Sequence, residues 1–364
     1  MDKKSMVAII AVIVILSIAG VGYSNTRSGL DSNIGIRTDQ GVQITDQTGR
    51  VVTVPANVTH VAALAGQSYE KLILLNQTDK MAVTISAWTN LPWSYKIAPQ
   101  LKDIPIENDP NVEDLISKKV QVVFCLSYDG NKEKLNSSNI AVVITQKNSG
   151  NPENADSFVK YVKQEIALYG EVMGPDAEEI ADEWGVYFDQ KVNYVTSRTA
   201  NLTDSQRPEV YYARGPDAIT TQGKNSYTQF YVEMAGGDYV AKNTNKEGLQ
   251  SVTMEQLLAW NPDVIFVGRI NSTDIITNDS RLSNMKAVQD NKVYLCPQGV
   301  AYWDYGAEGV LLMEYFAKTL HPELFEDLNM TGEVKDYYSR FCHYNLTDEE
   351  ANRILQHLPP ASST

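Results

Sequence analysis

The stretch PDAEEIADEWGVYFDQKVNYVTSRTANLT, residues 175–203, decides how the rest of the chain is read. Ile180, Trp184, Phe188, Val192 and Val195 recur every three or four residues, a spacing that puts them on one helical face. Pro175 suits a first helical turn, and Asp176, Glu178 and Glu179 set negative charge at the positive end of the helix dipole. Lys191 and Arg198 sit towards the other end, where cations are favoured. Such a helix spans roughly 40 Å at 1.5 Å per residue, about the width of a domain. One run of alternating strand and helix patterns precedes it and another follows it. The pattern predicts an α/β protein in which two parallel-sheet lobes built of βαβ units are joined by a single long, rigid helix.

Upstream of the helix, VQITDQTGRVVTVP (residues 42–55) alternates apolar and polar positions around Gln47-Thr48-Gly49, as a β-hairpin does. HVAAL (60–64), residues 81–85, VQVVFCL (120–126) and AVVIT (141–145) are short apolar strands separated by helical patterns. VQVVFCL is too continuously apolar to have a wet face, so both its faces are expected to be covered. Downstream the rhythm restarts with EVYYA (209–213), VIFV (264–267) and KVYLC (292–296). Strands alternating with helices imply parallel sheets. The expected organisation is an N-terminal lobe over 42–174, the helix over 175–203, a C-terminal lobe over 204–345 and a tail over 346–364. At 364 residues the chain can fill two cored domains.

The formal charge of −14, with no Lys/Arg-rich run, argues against nucleic acid as a partner. Lys3 and Lys4 precede an unbroken apolar run over residues 6–21, so residues 1–23 are expected to be a signal or membrane anchor that sends the rest outside the cytoplasm. Residues 24–41 are polar, Gly- and Ser-containing, and read as a flexible tether. Asn57, Asn76, Asn136, Asn201, Asn271, Asn278, Asn329 and Asn345 each head an Asn-x-Ser/Thr triplet, and together they favour a glycosylated surface protein. Three cysteines make no disulfide framework; Cys125 is expected to be buried, and Cys296 and Cys342 could pair.

Both halves carry a glutamate on a helix just ahead of a buried strand: Glu113 in PNVEDLISKKVQVVF (110–124) and Glu255 in TMEQLLAWNPDVIFVG (253–268). With ITDQTGRVVTVP (44–55) and LSNMKAVQDNKVYLCP (282–297), these segments resemble, in order, the class III solute-binding proteins of ABC importers for iron-siderophores, haem and cobalamin. The resemblance covers roughly residues 42–320 and includes the interlobe helix. It implies an extracytoplasmic binding protein whose cargo is an iron chelate, haem or corrinoid, with no resident cofactor. It implies as partners a permease and its ATPase, with Glu113 and Glu255 docking onto the permease.

In two-lobed α/β folds, ligands collect at the carboxyl ends of parallel strands. That selects Tyr69, Trp88, Trp93 and Tyr128 in the first lobe, and Tyr212, Arg214, Arg269, Tyr302 and Trp303 in the second. Aromatic rings can stack on a planar cargo, and arginine can pair with its anionic groups. No Gly-x-Ser-x-Gly elbow or phosphate-binding Gly-x-x-x-x-Gly-Lys supports an enzyme. The four histidines are too scattered for a bare zinc or manganese site. A molybdate- or tungstate-type oxyanion stays open as cargo, as does a surface interaction protein that has lost transport.

Overall fold

A computed structural model of the chain describes residues 36–38, 41–126, 132–146 and 152–361. The expected anchor, most of the expected tether and Tyr128 lie outside the described residues. Those described fall within one compact unit. Ile36–Thr38 (β1), within the expected tether, is a strand paired antiparallel to Gly41–Thr45 (β2), which pairs with Val51–Val54 (β3). The hairpin is where the alternation placed it, and its turn is held by Asp46, which accepts from the Thr48 N–H and the Arg50 guanidinium.

The first lobe continues through Val61–Ala63 (β4), Ser68–Leu74 (α1), Met81–Thr84 (β5), Pro92–Ile97 (α2), Val112–Ser117 (α3), Val122–Leu126 (β6), Lys132–Ser137 (α4) and Ala141–Gln146 (β7). Its four strands form a parallel sheet in the order β5-β4-β6-β7. Val122, Val123, Phe124 and Cys125 are all fully buried, as the apolar run implied. Ala155–Met173 (α5) begins on a capping box between Asn154 and Ser157. Gly174, at φ 104°, then turns the chain into Pro175–Thr199 (α6), the connecting helix, which opens on Pro175. It ends four residues before the sequence pattern does. Trp184, Phe188 and Val195 of its predicted face are buried, while Ile180 and Val192 are half-buried. Gly170 lets α5 and α6 cross closely: a Cβ there would stand 2.9 Å from the Ala181 Cβ.

The second lobe comprises Glu209–Ala213 (β8), Thr220–Gln222 (β9), Tyr227–Met234 (α7), Asp238–Tyr239 (β10), Leu249–Ser251 (β11), Met254–Trp260 (α8), Val264–Val267 (β12), Asp274–Thr277 (α9), Lys286–Gln289 (α10), Val293–Leu295 (β13) and Gly309–Leu320 (α11). Its parallel sheet has the order β10-β8-β12-β13. Met330–Phe341 (α12) and Asp348–Leu355 (α13) follow. The expected tail is packed: Ala351 and Ile354 are in the core, and the Leu358 carbonyl accepts from the Trp93 indole at 2.9 Å.

The largest apolar cluster runs through both lobes and the buried face of α6, so the lobes share a core. Between them lies a buried polar cluster. The Lys71 ammonium, 1% exposed, stands 3.2 Å from Glu165 and 3.5 Å from Glu70. Glu70 accepts from the Glu308 N–H at 3.1 Å, and the Glu308 carboxylate accepts from the Ala301 N–H and the Tyr338 hydroxyl. Burial, and then the nearby Glu70 charge, push Glu308 up to about 8.

Cys296 and Cys342 do not pair; both are free, buried thiols. Cys296 follows β13 with its N–H held by Val267, and Cys342 ends α12 with its N–H held by Tyr338, so each belongs to a different packed element.

Because Glu308 keeps its proton in the folded state up to about 8 while the unfolded chain releases it near 4.5, its contribution is fully present below about 4.5 and drains away as pH rises to about 8. The urea midpoint is expected to fall between pH 6 and pH 8.5, and Glu308→Gln to flatten that fall. An unchanged slope in the variant would show that the loss arises elsewhere.

Candidate ligand-binding cleft

The carboxyl ends of β4, β6 and β7 from one lobe, and of β8 and β12 from the other, open on a cleft of about 750 Å³. The first lobe lines it with Gly66, Gln67, Tyr69, Leu126 and Gln146. The second contributes Arg214 directly after β8, Arg269 after β12, and Gln222, Tyr227, Tyr302 and Tyr305. β8 and β12 are neighbours, and the Arg269 N–H donates to the Arg214 carbonyl at 2.9 Å. Two guanidinium groups therefore emerge side by side.

They are not equivalent. Arg269 donates through Nε to both oxygens of Asp304, at 2.9 and 3.0 Å, and its Nη2 stands 2.9 Å from the same carboxylate. Its guanidinium also lies over the Tyr302 ring at 4.9 Å. Asp304 is 2% exposed and accepts in addition from the Gln222 amide at 3.2 Å. Burial acts to lower the Arg269 proton affinity, and Asp304 more than offsets it. Arg214 has no hydrogen-bonded or ion-paired side-chain partner among the described residues. Burial first, then the like charge of Arg269, push it below the ordinary arginine value, although an arginine stays charged. One uncompensated cation thus faces the cleft.

At the opposite side, Tyr227 donates to Glu165 at 3.1 Å across the lobes, and Gln146 donates to Glu165 at 3.4 Å. The cleft floor is tied in this way to the buried Lys71 cluster. Tyr69 donates to the Val300 carbonyl at 2.8 Å, another interlobe bond.

Of the residues chosen from the sequence, Tyr69, Arg214, Arg269 and Tyr302 line the cleft. Trp88, Trp93, Tyr212 and Trp303 do not; all four are almost wholly buried. The Trp88 indole donates to Thr84 at 3.3 Å and its ring packs edge-on to Tyr95, while the Trp93 indole is spent on Leu358. Burial and then Asp304 push the Tyr212 phenol well above its ordinary value, and a side chain at Gly268 would strike its hydroxyl. These large rings gain more by filling the core than by standing at a wet strand end. Asp304 was not anticipated; a lone acid in the aromatic run YWDYG was the available signal. Tyr227, the first residue of α7, was not anticipated either.

Glu113 and Glu255 are exposed, each the second residue of its helix, in α3 and α8. All eight sequon asparagines are exposed. Among the described residues no group of three or more His, Cys, Asp or Glu is placed to hold a metal, and no helix is long and apolar enough to cross a membrane.

A profile of the family described as periplasmic binding protein matches residues 61–300. The chain is 30% identical over 335 residues to the molybdate-binding protein MolA of Haemophilus influenzae, covering 85% of this chain and 93% of that one. The solved structure of MolA with molybdate superposes with a TM-score of 0.74 at 28% identity, covering 84% of this chain and 99% of that one. A periplasmic solute-binding protein of Veillonella parvula gives 0.71 at 26% identity, covering 86% and 96%. Helicobacter pylori CeuE with Ni(II) shares the fold at 18% identity, with a TM-score of 0.66 and coverage of 86% and 99%.

Truncating Asp304 to alanine leaves Arg269 charged and unpaired in a buried setting. It is expected to lower unfolding stability by about 3 kcal/mol. The Asp304→Ala, Arg269→Ala double variant should lose clearly less than the sum of the singles. Strict additivity in urea unfolding would show that the two charges are not coupled.

Proposed function

The chain belongs to the periplasmic binding protein family, of the class III type, and from that premise we propose that its cleft captures an oxyanion of the molybdate class. A member of this family is the substrate-binding component of an ABC importer, not an enzyme. The observation that carries the choice of cargo is the pairing of an uncompensated Arg214 with an Arg269 already neutralised by Asp304. An anion entering the cleft meets one free guanidinium, which can hold two oxygens at once, next to a second that is fixed in place. Nothing acidic has to be displaced for it to bind, because Asp304 is already occupied. The likeness to MolA, which binds molybdate, supports the same class.

A second reading is favoured by the size of the cleft and by Tyr69, Tyr227, Tyr302 and Tyr305 on its walls. About 750 Å³ exceeds what a bare tetrahedral anion fills, and aromatic walls suit an anionic metal chelate or cofactor of the iron-siderophore, haem or cobalamin kind. In either case Glu113 and Glu255 dock the loaded protein onto the permease, and residues 1–23 direct the chain out of the cytoplasm. Glycans on the exposed sequons belong to the same reading.

Calorimetric titration of the purified protein with sodium molybdate is expected to give saturable one-to-one binding. Arg214→Gln should weaken it roughly a hundredfold, since a charged hydrogen-bonding partner in a partly desolvated cleft contributes on the order of 2–3 kcal/mol. No binding at millimolar molybdate, together with binding of a ferric chelate, haem or cobalamin, would replace the first reading by the second. Full affinity in Arg214→Gln would remove the arginine from the site.

A further inference from the structure

Large apolar side chains stand strongly exposed at only seven places among the described residues. Two of the seven occupy the same position relative to the two docking glutamates. Ile116, 52% exposed, follows Glu113 by three residues in α3, and Leu258, 42% exposed, follows Glu255 by three residues in α8. Residues three apart on a helix share a face. Each helix therefore presents an acid and an aliphatic group side by side to solvent.

One exposed aliphatic residue on a surface means nothing. The repeat is what counts, because the two helices are equivalent elements of the two lobes. α3 turns directly into β6 and α8 directly into β12, and both strands are interior members of their sheets. A helix that folds back into its following strand runs against it, so its first turn lies level with that strand's carboxyl end. That end is the one that opens on the cleft. Glu113 and Glu255 thus stand on the cleft side of their lobes, and neither is ion-paired among the described residues. Glu113 also edges a further groove of about 500 Å³ together with Asp109, Asn111, Lys134 and Ser137, which leaves room for a side chain of a partner.

An exposed acid–cation contact by itself contributes little, because water and salt screen it. An aliphatic group pressed against the partner next to that contact removes water from it and adds burial of its own. We propose that Ile116 and Leu258 are the apolar halves of two matched docking contacts, and that the partner is the importer's membrane-spanning dimer, presenting at two equivalent positions a cation with an apolar seat beside it. The proposal rests on the docking reading of Glu113 and Glu255 and adds to each glutamate the residue that makes its contact dry.

The test is competition on membranes of the source cells that carry the importer. Fluorescently labelled wild-type protein is bound to right-side-out vesicles and displaced by unlabelled wild type or variants. Ile116→Ser and Leu258→Ser are each expected to raise the displacing concentration about tenfold while leaving the salt dependence of displacement in place. Glu113→Gln and Glu255→Gln should raise it and weaken the salt dependence. Val186→Ser, at an equally exposed site on α6, should match wild type. If the glutamate variants displace poorly but the serine variants match wild type, the apolar contacts are refuted and docking through the acids stands. If all variants match wild type, the docking reading falls with them. Weakened displacement by Val186→Ser to the same degree would also overturn the proposal, because exposed apolar area in general would then be responsible.

Discussion

Three buried carboxylates gathered around one buried ammonium hold the two lobes against each other. Lys71 and Glu70 come from α1, Glu165 from α5, and Glu308 from the segment that starts α11, so the cluster joins elements from both sides of the connecting helix. Burying charge is unfavourable unless each group is paired or hydrogen-bonded, and here the surplus of acid is relieved by a proton held on Glu308. Such a cluster tolerates few alternative geometries. A small slide of one lobe would break the Glu308 N–H bond to Glu70 and the Tyr227 hydroxyl bond to Glu165, and leave buried carboxylate oxygens without those donors. Gly306 belongs to this constraint, since any side chain there would collide with the Glu70 carboxylate.

The cleft inherits that register. Glu165 anchors Tyr227 and Gln146 on its floor, and Tyr69 and Ser94 both donate to the Val300 carbonyl beside it. On the opposite wall Asp304 acts in the same way on a smaller scale. It orients Arg269 and Gln222 and cancels one charge, which leaves Arg214, among the described residues lining the cleft, as the cation without an ion-paired acid. The overall charge of −14 is no obstacle. Field at a site is set by the nearest unscreened charges, and beyond about 10 Å salt screens most of the remainder.

Much of this was legible in the sequence, where regular burial imposes a period. The connecting helix announced itself by Trp184, Phe188 and Val195 at helical spacing and by Pro175 at its start. VIFV and VQVVFCL were recognisable as interior strands because no position in them could face water. What escaped was direction. Trp88, Trp93 and Trp303 follow strand ends, as a ligand contact would, and nothing in their spacing says that the rings turn inward. Asp304 escaped for a related reason: its role exists only through Arg269, 35 positions earlier, and a contact at that separation leaves no local pattern. The packing of the chain's end was hidden too, because Ala351 and Ile354 and the bonds from Trp93 to Leu358 and from His357 to Cys296 all join it to elements distant in sequence.

A shared core limits how such a cleft can work. Two lobes linked by one strand crossing could close like a hinge, because only a few backbone torsions would have to change. Here the largest apolar cluster passes through α5, α6, α7 and α11 without a break, and the close crossing at Gly170 interlocks the two longest helices. Opening by a wide angle would expose that cluster and break the Glu308–Glu70 bond at the same time. The structure therefore resists domain closure. Its binding groups are held near their working positions before a ligand arrives, which lowers the ordering penalty of capture. The same rigidity keeps α3 and α8, on opposite lobes, at a fixed separation, as a two-point contact with a symmetric partner requires.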